Sequence, residues 1–308
     1  MPTLRHLAHL PAPLAAEVAA WAAFRLGPRA AVRPHERELH ETARRVTLGH
    51  RRPAANRGRP VDVAVYTWGG PGAPAVLLVH GWQSRAAFFA PLIADLVGAG
   101  RRVVAYDAPG HGDSGGTRRT LADDVAIIHR LSAAEAEGWE GVVGHSAGVL
   151  AAGVALADGA PARRFAGLAG ISSAHAINDG FFEFTGTPRR LRERYDDVVR
   201  RRRFPDEPDL YERYDLTRRP VPATIPALFV HDAADRRVPH RQSELLLGAH
   251  AGSAELVTTT GLGHNRIVRD GAVRRRTVEH VTAARTSGAE TATEAAETAW
   301  TVNAGNLP

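Results

Sequence analysis

The chain of 308 residues contains no cysteine, which excludes disulfide bonds, thiolate metal sites and a cysteine nucleophile. It also contains no lysine, so all 39 basic residues are arginine. Arginine as the sole cation, together with abundant alanine, favours a general composition bias over a basic surface selected for a partner. The hydrophobic content of 44% and the charged content of 23% are ordinary for a globular enzyme built around one main core.

The positive charge does not by itself indicate a nucleic-acid partner. The net charge is +6 and the isoelectric point is near 10.5. Surfaces that bind nucleic acids usually concentrate basic residues in a stripe, often with aromatic side chains between them. The sequence has no such stripe, and we predict no nucleic-acid partner.

A long uninterrupted apolar run is also missing. The most apolar part of the N-terminus, residues 7–26, is broken by Pro11, Pro13, Glu17 and Arg25. It therefore has neither the core of a signal peptide nor the length needed to span a bilayer. We predict a cytoplasmic protein without stable membrane insertion.

Residues 1–60 are predicted to form an N-terminal extension of helix and loop. Residues 14–24 fit a helix with Leu14, Val18, Trp21 and Phe24 on the face that packs against the main body. Residues 34–52 are polar and charged, and residues 51–60 have the composition of a loop.

From residue 61 the pattern changes to alternating strands and helices. Residues 61–66 alternate apolar and polar positions, as in a strand with one wet face, whereas residues 75–79 are apolar throughout. Further apolar strands are predicted at 102–106, 165–171, 227–231 and 254–257, with helical patterns between several of them. Another short strand is predicted from residue 141, where an apolar run breaks at Gly144. This order is typical of an α/β fold, a mostly parallel sheet with helices on both faces.

The regular alternation is interrupted at residues 174–225, which we interpret as a small helical lid above the strand ends. The aromatic side chains of Phe181, Phe182 and Phe184 are expected to form an apolar wall for substrate there. The main domain is predicted over residues 61–284. Residues 285–308 have a low-complexity Ala/Thr/Glu composition and are expected to form a disordered tail.

The chemistry centres on Gly144-His145-Ser146-Ala147-Gly148, which follows an apolar run and precedes a helical pattern. A serine at a sharp strand-to-helix turn projects into a cleft, and the flanking glycines avoid collisions with the neighbouring strand and helix. The amide of Ala147 would lie at a helix N-terminus, where it can receive negative charge that develops on a carbonyl oxygen. The motif therefore predicts a nucleophile and half of an oxyanion hole.

Five segments in a fixed order resemble the α/β-hydrolase superfamily over about residues 60–284. They are residues 80–82 (HGW), 107–114 (DAPGHGDS), 144–148 (GHSAG), 231–239 (HDAADRRVP) and 261–264 (GLGH). The resemblance implies an eight-stranded sheet and a catalytic triad in the order Ser, Asp, His.

The resemblance also implies a role for each site residue. Ser146 is the nucleophile, His264 the base and Asp235 the acid, with Asp232 kept open as an alternative acid. The amides of Trp82 and Ala147 form the oxyanion hole.

We therefore expect a serine hydrolase that cleaves a carboxylic ester of a small molecule through an acyl-enzyme. Thioester, lactone and amide substrates stay open, as does the oligomeric state. No cofactor and no metal are expected. The alternative is a catalytically silent binding protein on the same fold.

Overall fold

The computed structural model describes residues 3–51 and 60–284, and one eight-stranded sheet runs through this part of the chain. The strands are β1 (Arg44–Arg51), β2 (Pro60–Trp68), β3 (Ala75–Val79), β4 (Arg102–Tyr106), β5 (Gly141–His145), β6 (Phe165–Leu168), β7 (Ala227–Asp232) and β8 (Ala254–Thr259). Their order across the sheet is β1-β2-β4-β3-β5-β6-β7-β8. The tail predicted at 285–308 lies outside the described residues.

Helices occupy both faces of the sheet and the segment between β6 and β7. The α-helices are α1 (Ala12–Ala23), α2 (Pro34–Glu41), α3 (Ala90–Gly98), α4 (Leu121–Ser132), α5 (Ala147–Ala157), α6 (Ala174–Thr185), α7 (Arg192–Arg203), α8 (Leu210–Arg213), α9 (Arg241–Ala249), α10 (Gly263–Arg266) and α11 (Gly271–Thr282). Short 3₁₀ helices lie at Arg5–His9, Ala86–Phe89 and Arg189–Leu191. No helix in the described ranges is both long and apolar enough to cross a membrane.

The prediction of an eight-stranded, mostly parallel sheet is confirmed. β2 pairs antiparallel with β1 and with β4, and every other pairing in the sheet is parallel. Along β3, Leu77 and Val79 belong to one core cluster, and Val76 and Leu78 belong to the cluster on the other face. The continuous apolar run of this strand follows from its burial on both sides.

β1 was not predicted, because the sequence analysis assigned its residues to the extension and loop of residues 1–60. It is an edge strand, and its side chains are exposed except for a half-buried Leu48 and a buried His50. The apolar side chains of β1 are those of Val46 and Leu48 alone, and its one buried side chain is a histidine, so the usual sequence signal of a strand is weak. The sheet therefore begins ahead of the predicted domain start at residue 61.

The predicted packing face of the N-terminal helix was wrong for Leu14 and Trp21, whereas Val18 and Phe24 are half-buried against the core. Leu14 and Trp21 are 53% and 52% exposed. The buried face of α1 consists of small side chains, namely Ala15, Ala16, Ala19 and Ala20. This face packs against α7 of the predicted lid, where Arg202 also lies 3.3 Å from Glu17. Alanine allows two helices to approach closely, so the packing face is the one with the smallest side chains.

Candidate active site

Ser146 lies at the turn between β5 and α5. Its φ of 56° is a backbone conformation that residues other than glycine rarely adopt. The flanking glycines make this turn possible. A Cβ on Gly144 would lie 2.6 Å from Val149 Cα, and a Cβ on Gly148 would lie 2.2 Å from the carbonyl oxygen of Val79. Both contacts are with backbone atoms, which cannot move aside, so only glycine fits at either position.

The structure brings Ser146, His264 and Asp235 together. His264 Nε2 lies 3.0 Å from Ser146 Oγ, and His264 Nδ1 lies 2.7 Å from Asp235 Oδ2. An ionised carboxylate can only accept, so Nδ1 carries the proton and donates it, while Nε2 accepts from the serine hydroxyl. This is the tautomer that removal of the serine proton requires.

Asp235 is fixed by several donors in addition to His264. Its Oδ1 accepts hydrogen bonds from the amides of Arg237 and Val238 at 2.8 and 3.1 Å, and His231 Nε2 lies 3.4 Å from its Oδ2. Burial alone would raise the pKa of Asp235, but the hydrogen bonds from His231, His264 and Val238 outweigh it and hold that pKa well below its usual value. The carboxylate therefore stays ionised beside the imidazole.

Asp232, the alternative acid, has its hydrogen bonds elsewhere. Its oxygens accept from Thr259 Oγ1 at 3.0 Å, from the Leu262 amide at 2.8 Å and from the Ala234 amide at 3.1 Å. Burial would raise the pKa of Asp232, but these donors lower it. Because Leu262 begins the turn that carries His264, Asp232 ties that turn to the end of β7, whereas Asp235 is the acid in contact with the ring.

Of the two predicted oxyanion donors, Ala147 belongs to the elbow itself and Trp82 follows Gly81, which packs against the elbow. Ala147 begins α5, and neither its amide nor that of Trp82 donates a hydrogen bond to any part of the chain that the structure describes. Gly81 approaches the elbow so closely that a Cβ there would lie 2.9 Å from Ser146 Cβ. Both amides are therefore free to bind an incoming oxygen, and the loop before Trp82 lies against the nucleophile.

Two buried histidines, both in the neutral form, hydrogen-bond to the loop that carries Trp82. His80 donates from Nδ1 to the Gly81 carbonyl oxygen at 2.7 Å and accepts the Ala108 amide at Nε2, at 2.9 Å. His111 accepts the Gln83 amide at Nε2, at 3.0 Å. Burial and the nearby Arg119 charge lower the pKa of His80 well below its usual value and that of His111 to about 3. An imidazole must be neutral to accept such bonds.

His145, next to Ser146 in the sequence, contacts the turn that carries His264. Its Nε2 donates to the backbone carbonyl oxygen of His264 at 2.9 Å, and its ring lies 4.9 Å from the His264 ring. Burial, followed by the proximity of His264, lowers the pKa of His145 to about 3. His145 therefore anchors the turn that carries His264 to the elbow that carries Ser146.

The sequence analysis expected the three lid phenylalanines to form one apolar wall. In the structure their side chains have different surroundings. Phe182 is buried inside the lid, with its ring centroid 5.0 Å from that of Tyr195, and Phe184 is 72% exposed. Of the three, Phe181 lines an apolar cavity of about 210 Å³. The other lining residues include Leu4, Trp21, Leu26 and Gln83. Phe181 and Phe182 point in different directions because successive helical residues are turned by about 100°.

One residue at the site was missed by the sequence analysis. Arg119 is buried beneath the loop that carries Trp82, and its guanidinium binds Asp124 and the carbonyl oxygens of His80 and Gly81. It lies outside the motifs that identified the triad, in an arginine-rich chain where single arginines carry no signal.

No group of three metal-ligating side chains is arranged to hold a metal ion within residues 3–51 and 60–284. The acids and imidazoles of the site instead bind one another. The chemistry that the arrangement can perform is proton transfer and nucleophilic attack by Ser146.

The chain belongs to the alpha/beta hydrolase family, whose model matches residues 76–283. No curated protein matches. One similar solved structure is a Pyrococcus furiosus esterase, with a TM-score of 0.59 and 18% identity over 82% of this chain and 97% of the other. Another is a Paleococcus ferrophilus monoacylglycerol lipase, with a TM-score of 0.57 and 20% identity over 71% of this chain and 98% of the other. The thioesterase domain from a curacin biosynthetic pathway is a third, with a TM-score of 0.55 and 17% identity over 77% of this chain and 99% of the other. At these identities the likeness shows the shared fold.

Proposed function

We propose that the protein is a serine hydrolase that cleaves a carboxylic ester through an acyl-enzyme intermediate. The observation that carries this proposal is the continuous set of hydrogen bonds from Ser146 Oγ through His264 to Asp235, at 3.0 and 2.7 Å. A serine hydroxyl is a weak nucleophile until a base takes its proton, and here the base already touches it.

In the proposed reaction Ser146 Oγ attacks the ester carbonyl carbon while His264 Nε2 takes the hydroxyl proton. The carbonyl oxygen becomes an oxyanion and binds the amides of Trp82 and Ala147, each such donor contributing about 3 to 4 kcal/mol. The C–O bond to the alcohol breaks as His264 returns the proton to the leaving oxygen. Water, deprotonated by His264, then attacks the acyl-enzyme and releases the carboxylic acid and free Ser146.

The structural neighbours support acyl transfer, since they include proteins named as an esterase, a lipase and a thioesterase. Thioester, lactone and amide substrates would pass through tetrahedral intermediates of the same kind and stay open. The carboxylic ester is the substrate class to test first. The cytoplasm stays the predicted compartment.

The test is covalent labelling. A fluorophosphonate probe is expected to react with Ser146, because phosphonylation needs a deprotonated serine and a hole for the phosphoryl oxygen. Peptide mass spectrometry locates the adduct, and p-nitrophenyl esters measure turnover on the same sample.

Two variants control the labelling. Ser146→Ala should abolish both the label and the hydrolysis. Ser172→Ala should retain them, because Ser172 is a buried serine after β6 whose hydroxyl donates to Gln242 at 2.6 Å. Absence of labelling and of turnover in the folded parent protein would overturn the proposal and favour a silent binding protein.

The substrate we propose has a short or medium acyl group. Gln83 lines the apolar cavity and directly follows Trp82, so one wall of the cavity is continuous with the loop of the proposed oxyanion hole. Its volume of about 210 Å³ is below the roughly 300 to 1,000 Å³ typical of sites for drug-sized ligands. An acyl chain that enters this cavity therefore has limited room.

Phe181→Ala is expected to lengthen the preferred acyl chain, because it enlarges the cavity without touching the triad. Rates on p-nitrophenyl esters of increasing chain length, measured below their solubility limits, report the shift. Phe184→Ala is the matched control, since Phe184 is exposed on the same helix. An unchanged profile in Phe181→Ala, or an equal shift in both variants, would contradict this assignment.

A further inference from the structure

One buried arginine, Arg119, hydrogen-bonds to the loop that carries the proposed oxyanion donor Trp82. Arg119 Nη1 donates to the Gly81 carbonyl oxygen at 2.8 Å, and Nη2 donates to the His80 carbonyl oxygen at 2.9 Å. Its Nε donates to Asp124 Oδ2 at 2.7 Å. The guanidinium therefore spans two consecutive peptide groups of the loop, which lysine, with a single charged nitrogen, does not match.

Arg119 and its partner Asp124, which we call the clamp, are buried and held by neighbouring groups. Arg119 is 2% exposed and Asp124 is fully buried, and Tyr106 Oη donates to the second oxygen of Asp124 at 2.9 Å. Arg119 directly precedes Thr120, the N-cap of α4, whose capping box with Asp123 fixes the start of the helix. A buried ion pair carries a large desolvation cost, which makes it a weak source of stability by itself.

Peptide geometry connects this clamp to the oxyanion hole. The described residues contain no cis peptide bond, so the Gly81 carbonyl and the Trp82 N–H point to opposite sides of one planar unit. His80 Nδ1 donates to the same Gly81 oxygen at 2.7 Å. When Arg119 and His80 hold that oxygen on one side, the Trp82 amide is directed to the other.

We propose that Arg119 is a positioning residue that aims the Trp82 amide at the oxyanion, an inference that rests on the proposed function. Its positive charge also polarises the Gly81–Trp82 peptide, because a strong donor at the carbonyl oxygen makes the amide at the other end a better donor. Arg119 acts through the peptide and does not touch the substrate.

The test removes the clamp without leaving an unpaired buried charge. In the double variant Arg119→Met/Asp124→Leu both ionic partners become apolar, a change that is often neutral or stabilising for a buried pair. We expect kcat to fall about 30- to 300-fold, approaching the roughly 100- to 1,000-fold typical of losing one oxyanion donor. KM should change less than about threefold, because the lost interaction forms only in the transition state.

A second readout separates aiming from general damage. The rate of fluorophosphonate labelling at Ser146 should fall by a similar factor, since the phosphoryl oxygen occupies the same hole. Arg119→Ala leaves a space for free guanidinium, which is expected to recover part of the lost kcat when added to the assay, whereas the parent protein should gain nothing.

Tyr106→Phe is the matched control. It removes a buried hydrogen bond to the same Asp124 but leaves both bonds from Arg119 to the loop, so kcat should stay within about threefold of the parent value. The inference is overturned if the double variant keeps parental kcat, if KM rises while kcat is unchanged, or if Tyr106→Phe loses as much. Absence of labelling at Ser146 in the parent protein overturns the proposed function itself, independently of any Arg119 variant.

Discussion

His264→Ala is expected to lower kcat on p-nitrophenyl esters by roughly 10⁶-fold, since a triad without its base loses the proton transfer on which both half-reactions depend. Ser146→Ala should cost a similar factor, and the double variant should lose little more. Residues that act as one unit give such non-additive losses, because removing the second member removes nothing that still works.

The control for this experiment is another histidine at the same edge of the sheet. His240 follows β7, and its Nε2 lies 2.9 Å from Thr258 Oγ1, so its hydrogen bonds lie outside the triad. His240→Gln should keep parental kcat. Independent, additive losses in the Ser146 and His264 variants would show that the two side chains do not act together.

Asp235→Asn is expected to lower kcat by about 10⁴-fold. An asparagine oxygen can accept from His264 Nδ1, but its amide group can equally donate there and favour the tautomer whose Nε2 carries the proton. Such an imidazole cannot take the serine proton. Steady-state kinetics on the same ester, together with an unchanged circular dichroism spectrum, measure this loss in a folded protein.

Asp232→Asn gives the contrasting result. Asp232 accepts from Leu262 and Thr259, so the change should lower the melting temperature and cost less than about tenfold in kcat. The reverse order of effects, with the larger kinetic loss in Asp232→Asn, would transfer the role of acid to Asp232.

Much of the fold could be predicted because its central strands are buried on both faces. β3 and β4 have the boundaries that the sequence indicates, since the buried positions of such strands are apolar and only Arg102, at the start of β4, is charged. The triad positions follow from motifs at the ends of strands, which parallel pairing brings to one edge of the sheet. Local sequence therefore specifies those elements whose environment is uniform.

The predictions failed for residues whose position depends on contacts with other parts of the chain. β1 has one buried side chain, that of His50, so most of its sequence is as polar as that of a loop. In α1 the largest apolar residues, Leu14 and Trp21, lie outside, because the partner helix requires a narrow alanine face. Arg119 could not be predicted because its function depends on two carbonyl groups about forty positions away in the sequence. These features depend on the partner surface, which a single segment does not encode.

The neutral histidines beneath the active-site loops make the fold sensitive to acid. In the unfolded chain a histidine binds a proton below about pH 6.5. In the folded protein His111 and His145 stay uncharged down to about pH 3, and the pKa of His80 is also well below its usual value. Unfolding between these two limits takes up protons, so each fall in pH within this range favours the unfolded chain. The side chains that shape the loops near neutral pH therefore lower the free energy of unfolding in acid.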